Sequence, residues 1–350
     1  MNGASKSIFL LPFLFFLSGQ ISHAQERFRV MFYNTENLYD TKNNPNTSDD
    51  DLTPEGNLRW NKYRYWKKLH DISKVISSVG SGHPPALVGL CEVENDSVLF
   101  DLTKRAALQR HKYEYIITNS KDSRGSNVAL LYQRDQIKII GTKSYTPVIY
   151  ETQDSVVTTR DILHVTGKVV NGETIDIFIC HFPSRSKGIK KSRPYRITCA
   201  KLLRQKTDSL FSIRKRANII IMGDFNDYPY DTSIKDTLNT FGTDPSPDKS
   251  KLYNLFYHQA TEKKEDTGSY KYRGKWNYID QFIVSGNLLN INNISIKENT
   301  AHVYNADFLL ETDNNKYGGS KPFRTYSGYK YLGGFSDHLP IYFDLLIKEN

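Results

Sequence analysis

The chain has 350 residues, a formal net charge of +9 and 38% hydrophobic residues, among them 23 Tyr and 18 Phe. That composition excludes a disordered or collagen-like chain, and a count of 3 Cys excludes a disulfide framework. A basic balance favours an anionic partner, although it also serves solubility.

Residues 8–17 are an apolar run preceded by Lys6 and followed by Ser22-His23-Ala24, a small-residue cleavage site. This order is that of a secretory signal peptide. The run is too short to span a bilayer, and no Cys follows it to accept a lipid. The reading is that residues 1–24 are removed and the chain is exported to the periplasm or beyond. Residues 25–350, about 325 residues, then form one domain.

Phe28, Val30 and Phe32 alternate with Arg29, Met31 and Tyr33, a strand signal that ends in the polar cluster Asn34-Thr35-Glu36-Asn37. Residues 40–57 are a polar loop in which Asp49-Asp50-Asp51 reads as a solvated charge run. A helix follows, with Trp66, Leu69, Ile72, Val75, Ile76 and Val79 at three- and four-residue spacing and Gly80 as its stop. Residues 86–91 are continuously apolar, the mark of a strand buried on both faces, and deliver Glu92 at their end. A carboxylate leaving a buried strand needs a cation or donors, which makes Glu92 a better metal ligand than any surface acid.

Residues 98–108 read as a helix, and 113–118 and 128–132 as strands. The turn between the strands carries Arg124, a forked cation suited to a phosphate oxygen. Asn171-Gly172 between two alternating runs marks a hairpin whose second strand ends at His181. Arg185 follows closely. Lys187, Lys190, Lys191, Arg193 and Arg196 then lead into a helix with Ser192 as N-cap and Pro194 in its first turn. This basic run is either a phosphate-tracking patch or a solvated face. Residues 219–222 are another buried strand, ending at Gly223-Asp224-Phe225-Asn226, where Asp224 and Asn226 can face one pocket. Residues 278–284 form a strand with Asp280 inside it, a buried acid for which a His is a natural partner. Phe335-Ser336-Asp337-His338-Leu339-Pro340 precedes the alternating strand 341–346 and sets an Asp and a His side by side.

Strand ends thus repeatedly carry acids, amides and His. Oxygen donors of this kind suit Mg²⁺ or Mn²⁺, with Ca²⁺ a further candidate. The segments FYNTENL, LCEVEN, SRGSNVALLY, CHFPSR, IIMGDFND, YIDQFIV and FSDHLPI together resemble the endonuclease/exonuclease/phosphatase superfamily, which includes deoxyribonuclease I, and they run from Phe28 to about Leu346. The loop DDDLTPEGNLRW and the segment YKYRGKWNYID are similar to those of exported bacterial members.

The resemblance implies an α+β fold, a four-layer α/β/β/α sandwich of two mixed sheets packed face to face with helices outside. It implies Glu92 as principal metal ligand with Asn34 and Asp337 completing the site. Asp224 and Asn226 would orient water and the scissile phosphate. His338, held by Asp280, would be the general base or proton-transfer group, and His181 would stabilise phosphoryl charge or assist the leaving group. Arg124 and Arg185 are the phosphate-binding candidates. Many members carry Asp where this chain has Asn127, which removes a charge beside Arg124.

The function expected is that of a secreted metal-dependent phosphoesterase, a nuclease first and a monomer. A phospholipid, sphingomyelin or inositol-phosphate phosphoesterase on the same site is the alternative. A non-catalytic binding protein is disfavoured by intact Glu92, Asp224, His181 and His338. An apolar, aromatic-rich loop would mark the lipid enzyme, and Tyr326, Tyr329 and Tyr331 are a weak hint of one.

Overall fold

The computed structural model describes residues 28–152, 155–262 and 267–348. The expected leader, residues 1–24, lies outside the described residues. Strand Phe28–Leu38 is central to a seven-stranded sheet. It pairs in parallel with Leu87–Val93 and antiparallel with Ile341–Ile347. A second seven-stranded sheet has Ile219–Asp224 between Thr174–His181, its parallel neighbour, and Asp280–Ser285, its antiparallel one. Both sheets are therefore mixed.

Period-two alternation explains how the sheets stack. Phe28, Val30 and Phe32 bury one face against Ile177, Ile179, Ile220, Met222 and Phe282 of the other sheet. Met31 and Tyr33 bury the opposite face against Leu69, Ile72, Val75 and Ile76 of helix Lys62–Val79. On the second sheet, Phe178, Cys180, Ile219 and Ile221 meet Cys199, Ala200 and Leu203 of helix Ile189–Ile213. The result is helix, sheet, sheet, helix. Each fully buried side chain of this size contributes about 1.5–3 kcal/mol, so the sheet ends are held on a stiff frame. Gly89 permits close approach of the sheets, since a Cβ there would meet Met222 Sδ at 2.5 Å.

Helix Lys62–Val79 starts where Asn61 accepts a hydrogen bond from the Arg64 amide at 3.1 Å. The hairpin at Asn171-Gly172 forms as read, with Gly172 at φ +81°. Two local readings differ. Residues 98–108 are not one α-helix: the short α-helix Asp96–Phe100 runs on as the π-helical stretch Asp101–Arg105, breaks at the extended Ala106 and resumes as the 3-10 helix Ala107–His111. The long second helix begins at Ile189, a turn before Ser192, so Ser192 is no N-cap. Its hydroxyl donates to the Gly188 carbonyl and accepts from Arg196 instead. Arg196 is fully buried and paired with Asp227 at 2.8 Å, so the last member of the basic run is structural. Lys187, Lys190, Lys191 and Arg193 remain exposed. All three Cys are buried free thiols. Among the described residues no helix is long and apolar enough to cross a membrane.

Candidate active site

The site lies where the ends of the central strands of both sheets meet. Register puts Asp224 opposite His181 on one side and opposite Asp280 on the other, so one row of the second sheet presents all three. On the first sheet Asn34 pairs with Cys91, and the register then slips. Glu92 sits in that irregularity at φ +60°. A bulge of this kind re-aims a side chain, here out of the sheet plane and into the cleft. Glu36, Asn37 and Asn226 are also left-handed. Such conformations cost about 1–2 kcal/mol each outside glycine and persist only where the frame imposes them.

A cleft of about 960 Å³ opens here, lined by Asn34, Glu92, Arg124, His181, Arg185, Asp224, Asn226, Asp337 and His338, among others. Of the residues singled out from sequence, Asp280 alone is not on its wall. It is 1% exposed and stands behind His338, accepting at 2.7 Å from Nδ1. Ser269 donates to the same Asp280 oxygen at 2.6 Å. His338 Nε2 is left 3.9 Å from Asp224 Oδ2 and 4.0 Å from Asp337 Oδ1. Asn34 Nδ2 donates to Asp224 Oδ2 at 3.1 Å, and the Asn226 amide donates to Oδ1 at 2.9 Å. His181 Nε2 lies 3.8 Å from Glu92 Oε1 and 3.7 Å from Asp224 Oδ2. The Asn37 amide donates to Glu92 Oε2 at 3.0 Å.

Electrostatics separate these groups. Burial, and then the charge of Asp280, push the Asp224 carboxyl up to about 7. Burial alone would lower His338, but Asp280, by charge and hydrogen bond, and then Asp224 and Asp337 hold it well above the usual His range. His181 falls well below that range through burial and the nearby Arg160 and Arg124, so it is a neutral imidazole. Its Nδ1 is buried without a hydrogen-bond partner among the described residues, and Nε2 is the atom facing the cleft carboxylates.

The two candidate arginines differ. Arg124 sits on a turn fixed by Asp122, which accepts from the Arg124 amide at 3.1 Å and pairs with buried Arg160 at 3.2 Å. Its guanidinium is about half exposed, 47%. Arg185 is largely committed. Its Nε donates to the Asn226 carbonyl at 2.6 Å, and Nη2 pairs with Asp227 and Asp231. Asn127 has turned away from the cleft. Its amide donates to the carbonyls of Glu94 and Gly125, which a carboxylate could not do. Asp49 caps its own loop, accepting from Asn44 and Thr47.

Sequence reasoning missed Glu36, Arg324 and Tyr270, all on the cleft wall. Arg324 Nη2 pairs with Asp337 at 3.1 Å and Nε donates to Glu36 at 3.2 Å. The Tyr270 ring lies 4.8 Å from the His338 ring. Glu36 stood in a cluster already noted as polar. Tyr270 opens the segment YKYRGKWNYID noted from sequence, though no role was read for it, and nothing around Arg324 in sequence marks it.

The tightest donor group is Asp224, Asp280 and His338, whose ligand atoms lie within 4.8 Å of one another. Two of these already bond each other, Asp280 to His338, and Asp280 is sealed behind the ring. The donors open to the cleft are the carboxylates of Glu92, Asp224 and Asp337 with the amide of Asn34. Crowded acids raise one another's pKa, as Asp280 and Glu92 do to Asp224. Hard oxygen donors under mutual repulsion fit a divalent cation.

The Endonuclease/Exonuclease/phosphatase family model matches residues 29–347. The chain belongs to the endonuclease/exonuclease/phosphatase family. Membership carries the reaction class, hydrolysis of phosphoester bonds. The fold is shared with solved structures of low sequence identity. An endonuclease/exonuclease/phosphatase family protein from Bacteroides thetaiotaomicron is 16% identical with a TM-score of 0.55, over 93% of this chain and 97% of that one. The mannosyl-6-phosphatase of Bacteroides thetaiotaomicron VPI-5482 is 16% identical with a TM-score of 0.55, over 91% and 100%. D. rerio TDP2 complexed with single strand DNA product is 14% identical with a TM-score of 0.53, over 91% and 99%. None of the curated proteins matches the chain.

Proposed function

We propose that this family member is an exported, divalent-metal-dependent phosphodiesterase acting on nucleic acid, with residues 25–350 as its catalytic domain after loss of 1–24. The observation that carries the reading is one cleft with two kinds of wall. Glu92, Asp224, Asp337 and His338 line it, and so do Arg124, Arg273 and Arg324 together with Tyr228, Tyr270 and Tyr272. Cations interleaved with aromatic rings are what a single strand needs, phosphates on the former and bases stacked on the latter. The DNA product in D. rerio TDP2 is in keeping with this.

Glu92, Asn34 and Asp337 would hold the metal, Mg²⁺ or Mn²⁺ by their hard donors, with Ca²⁺ next. Bound there, it supplies charge for a phosphoryl oxygen. The chain's own groups do the rest. Asp224, pushed up to about 7, is matched to accept a proton from water at neutral pH. His338, kept protonated by Asp280, faces the phosphoryl group as a cation. This assigns His338 the acid side of the proton balance, within the general base or proton-transfer role that the resemblance implied. His181, neutral, donates from Nε2 to a phosphoryl oxygen. Asn226, anchored through Nδ2 on the Phe182 carbonyl at 3.0 Å, keeps Asp224 oriented by its backbone amide. Arg124 takes the substrate phosphate, and Arg185 supports Asn226.

A second reading is a small phosphoester, favoured by a cleft whose volume suits a small ligand. The mannosyl-6-phosphatase neighbour accords with it. The lipid reading loses its aromatic loop. Tyr326 is buried, tilted against Trp60 and edge-on to Tyr331, Tyr331 lies against Arg64, and Tyr329 alone of the three is exposed.

The test is cleavage of supercoiled plasmid and single-stranded oligonucleotide with Mg²⁺ or Mn²⁺, beside a chelator and His338→Ala. Cleavage that needs both supports the nuclease. Hydrolysis of sugar phosphates without cleavage of either nucleic acid moves the assignment to the second reading.

A further inference from the structure

Arg324 stands with Arg124 and Arg273 among the cleft cations, and the function proposed above gives it no individual contact. Its guanidinium is gripped on two edges. Nε donates to Glu36 Oε1 at 3.2 Å, and Nη2 reaches Asp337 Oδ2 at 3.1 Å and Glu36 Oε1 at 3.2 Å. Nη1 makes no hydrogen bond or ion pair among the described residues, and the side chain is 39% exposed on the cleft wall.

The grip is itself supported from beneath. Glu36 is buried, and its second oxygen accepts from the Thr325 amide at 2.6 Å. Lys68 is buried nearby, donating to Thr325 Oγ1 and the Phe335 carbonyl at 2.6 Å each. Glu36 is also one of the left-handed residues, at φ +49°. A buried acid in a costly backbone conformation, spent on a single partly exposed guanidinium, makes sense if that guanidinium must point one way. A planar fork with two edges fixed leaves its remaining N–H groups pre-oriented for an anion.

We propose that Arg324 forms a second anion subsite, receiving a non-bridging phosphoryl oxygen on the Asp337–His338 side of the cleft, with Glu36 as its positioning residue. This rests on the phosphoesterase reading and deepens it. The site then has two cations with different neighbours, Arg124 near Glu92 and Arg324 beside Asp337. Glu36 serves the arginine, so it is not a metal ligand.

The experiment measures binding of inorganic phosphate by calorimetry, Mn²⁺ binding, and kcat and KM on bis(4-nitrophenyl) phosphate, for the wild type, Arg324→Gln, Arg324→Lys, Glu36→Gln and the double variant. Expected is phosphate binding weakened at least tenfold in Arg324→Gln, a rise in KM larger than the fall in kcat, and Mn²⁺ binding retained. Arg324→Lys recovers only part, since an ammonium cannot bridge both acids. Glu36→Gln weakens phosphate binding alone but adds nothing on top of Arg324→Gln, which a merely structural role would not produce. Unchanged phosphate binding and KM in Arg324→Gln would overturn the proposal, as would a wild type that does not bind phosphate. A wild type that binds phosphate through Arg324 yet hydrolyses no phosphoester would uphold the subsite and sink the functional reading instead.

Discussion

His338 Nδ1 and Asp280 Oδ2 meet at 2.7 Å across the two sheets, Asp280 opening a strand of one and His338 preceding a strand of the other. The bond therefore does two things. It fixes the imidazole, and it ties the sheets together at the end where the cleft opens. Because Asp280 raises the His338 pKa, Asp280→Asn lowers it. The imidazolium is then lost at lower pH, and the alkaline limb of the rate profile moves to lower pH. We expect kcat to fall by about 10²–10⁴, the range for a proton-transfer group. His338→Ala should abolish hydrolysis with the fold intact. A His338→Ala protein with full turnover would remove that residue from the mechanism.

Glu92→Gln tests the cation site. The amide keeps the shape and can still accept from the Asn37 backbone, but it loses the charge. Mn²⁺ binding measured by calorimetry should weaken at least tenfold, and turnover should no longer respond to added metal. A wild-type isotherm for Glu92→Gln would shift the ligand assignment toward Asp224 and Asp337.

The strands that carry the site were legible because they are buried on both faces and end in polar residues. Residues 219–222 and 86–91 read correctly for that reason, and Asp224 and Glu92 followed from them. Asp280 was legible as an acid inside an apolar strand. The second helix began early because Gly188, at φ +92°, rather than a capping hydroxyl, precedes it. Ser192 matches the capping pattern but spends its hydroxyl inside the helix. The stretch after Asp96 has helical spacing too, but the chain leaves the helical region at Ala106, ψ 179°. Arg324 stayed hidden because its meaning comes from Glu36, far away in the chain. No local pattern records a contact of that range.

Away from the site, Asp176 offers a prediction about pH and stability. Burial would raise its carboxyl, but hydrogen bonds from His164, Arg214 and Thr166 hold it below the usual Asp range. A depressed carboxyl contributes stability that is present above its unfolded pKa, about 4, and is lost as pH falls through the lower folded value. Asp176→Asn should cost on the order of 2 kcal/mol at pH 7, less than a fully buried pair because Arg214 is 31% exposed. The gap to wild type should narrow below about pH 4. Denaturant midpoints at pH 7 and at pH 3 decide it. An equal gap at both would show that the carboxylate charge contributes nothing.

The basic run separates into parts that can be tested against each other. Arg196 is buried on Asp227, so Arg196→Ala should cost about 1–3 kcal/mol, since Asp227 keeps Arg185 and Ser233 as partners. Lys190 and Lys191 are exposed at the start of the same helix, whose first residue, Ile189, lines the cleft. If a nucleic acid strand leaves the cleft over this rim, each lysine releases about one counterion from it. The Lys190→Ala, Lys191→Ala double variant should then flatten the slope of log binding constant against log salt by about 1.4 for a single strand. Turnover of bis(4-nitrophenyl) phosphate, too small to reach the rim, should stay unchanged. An unaltered slope would mean that the strand does not cross this rim. A fall in turnover of the small ester would mean instead that the lysines act on the site itself.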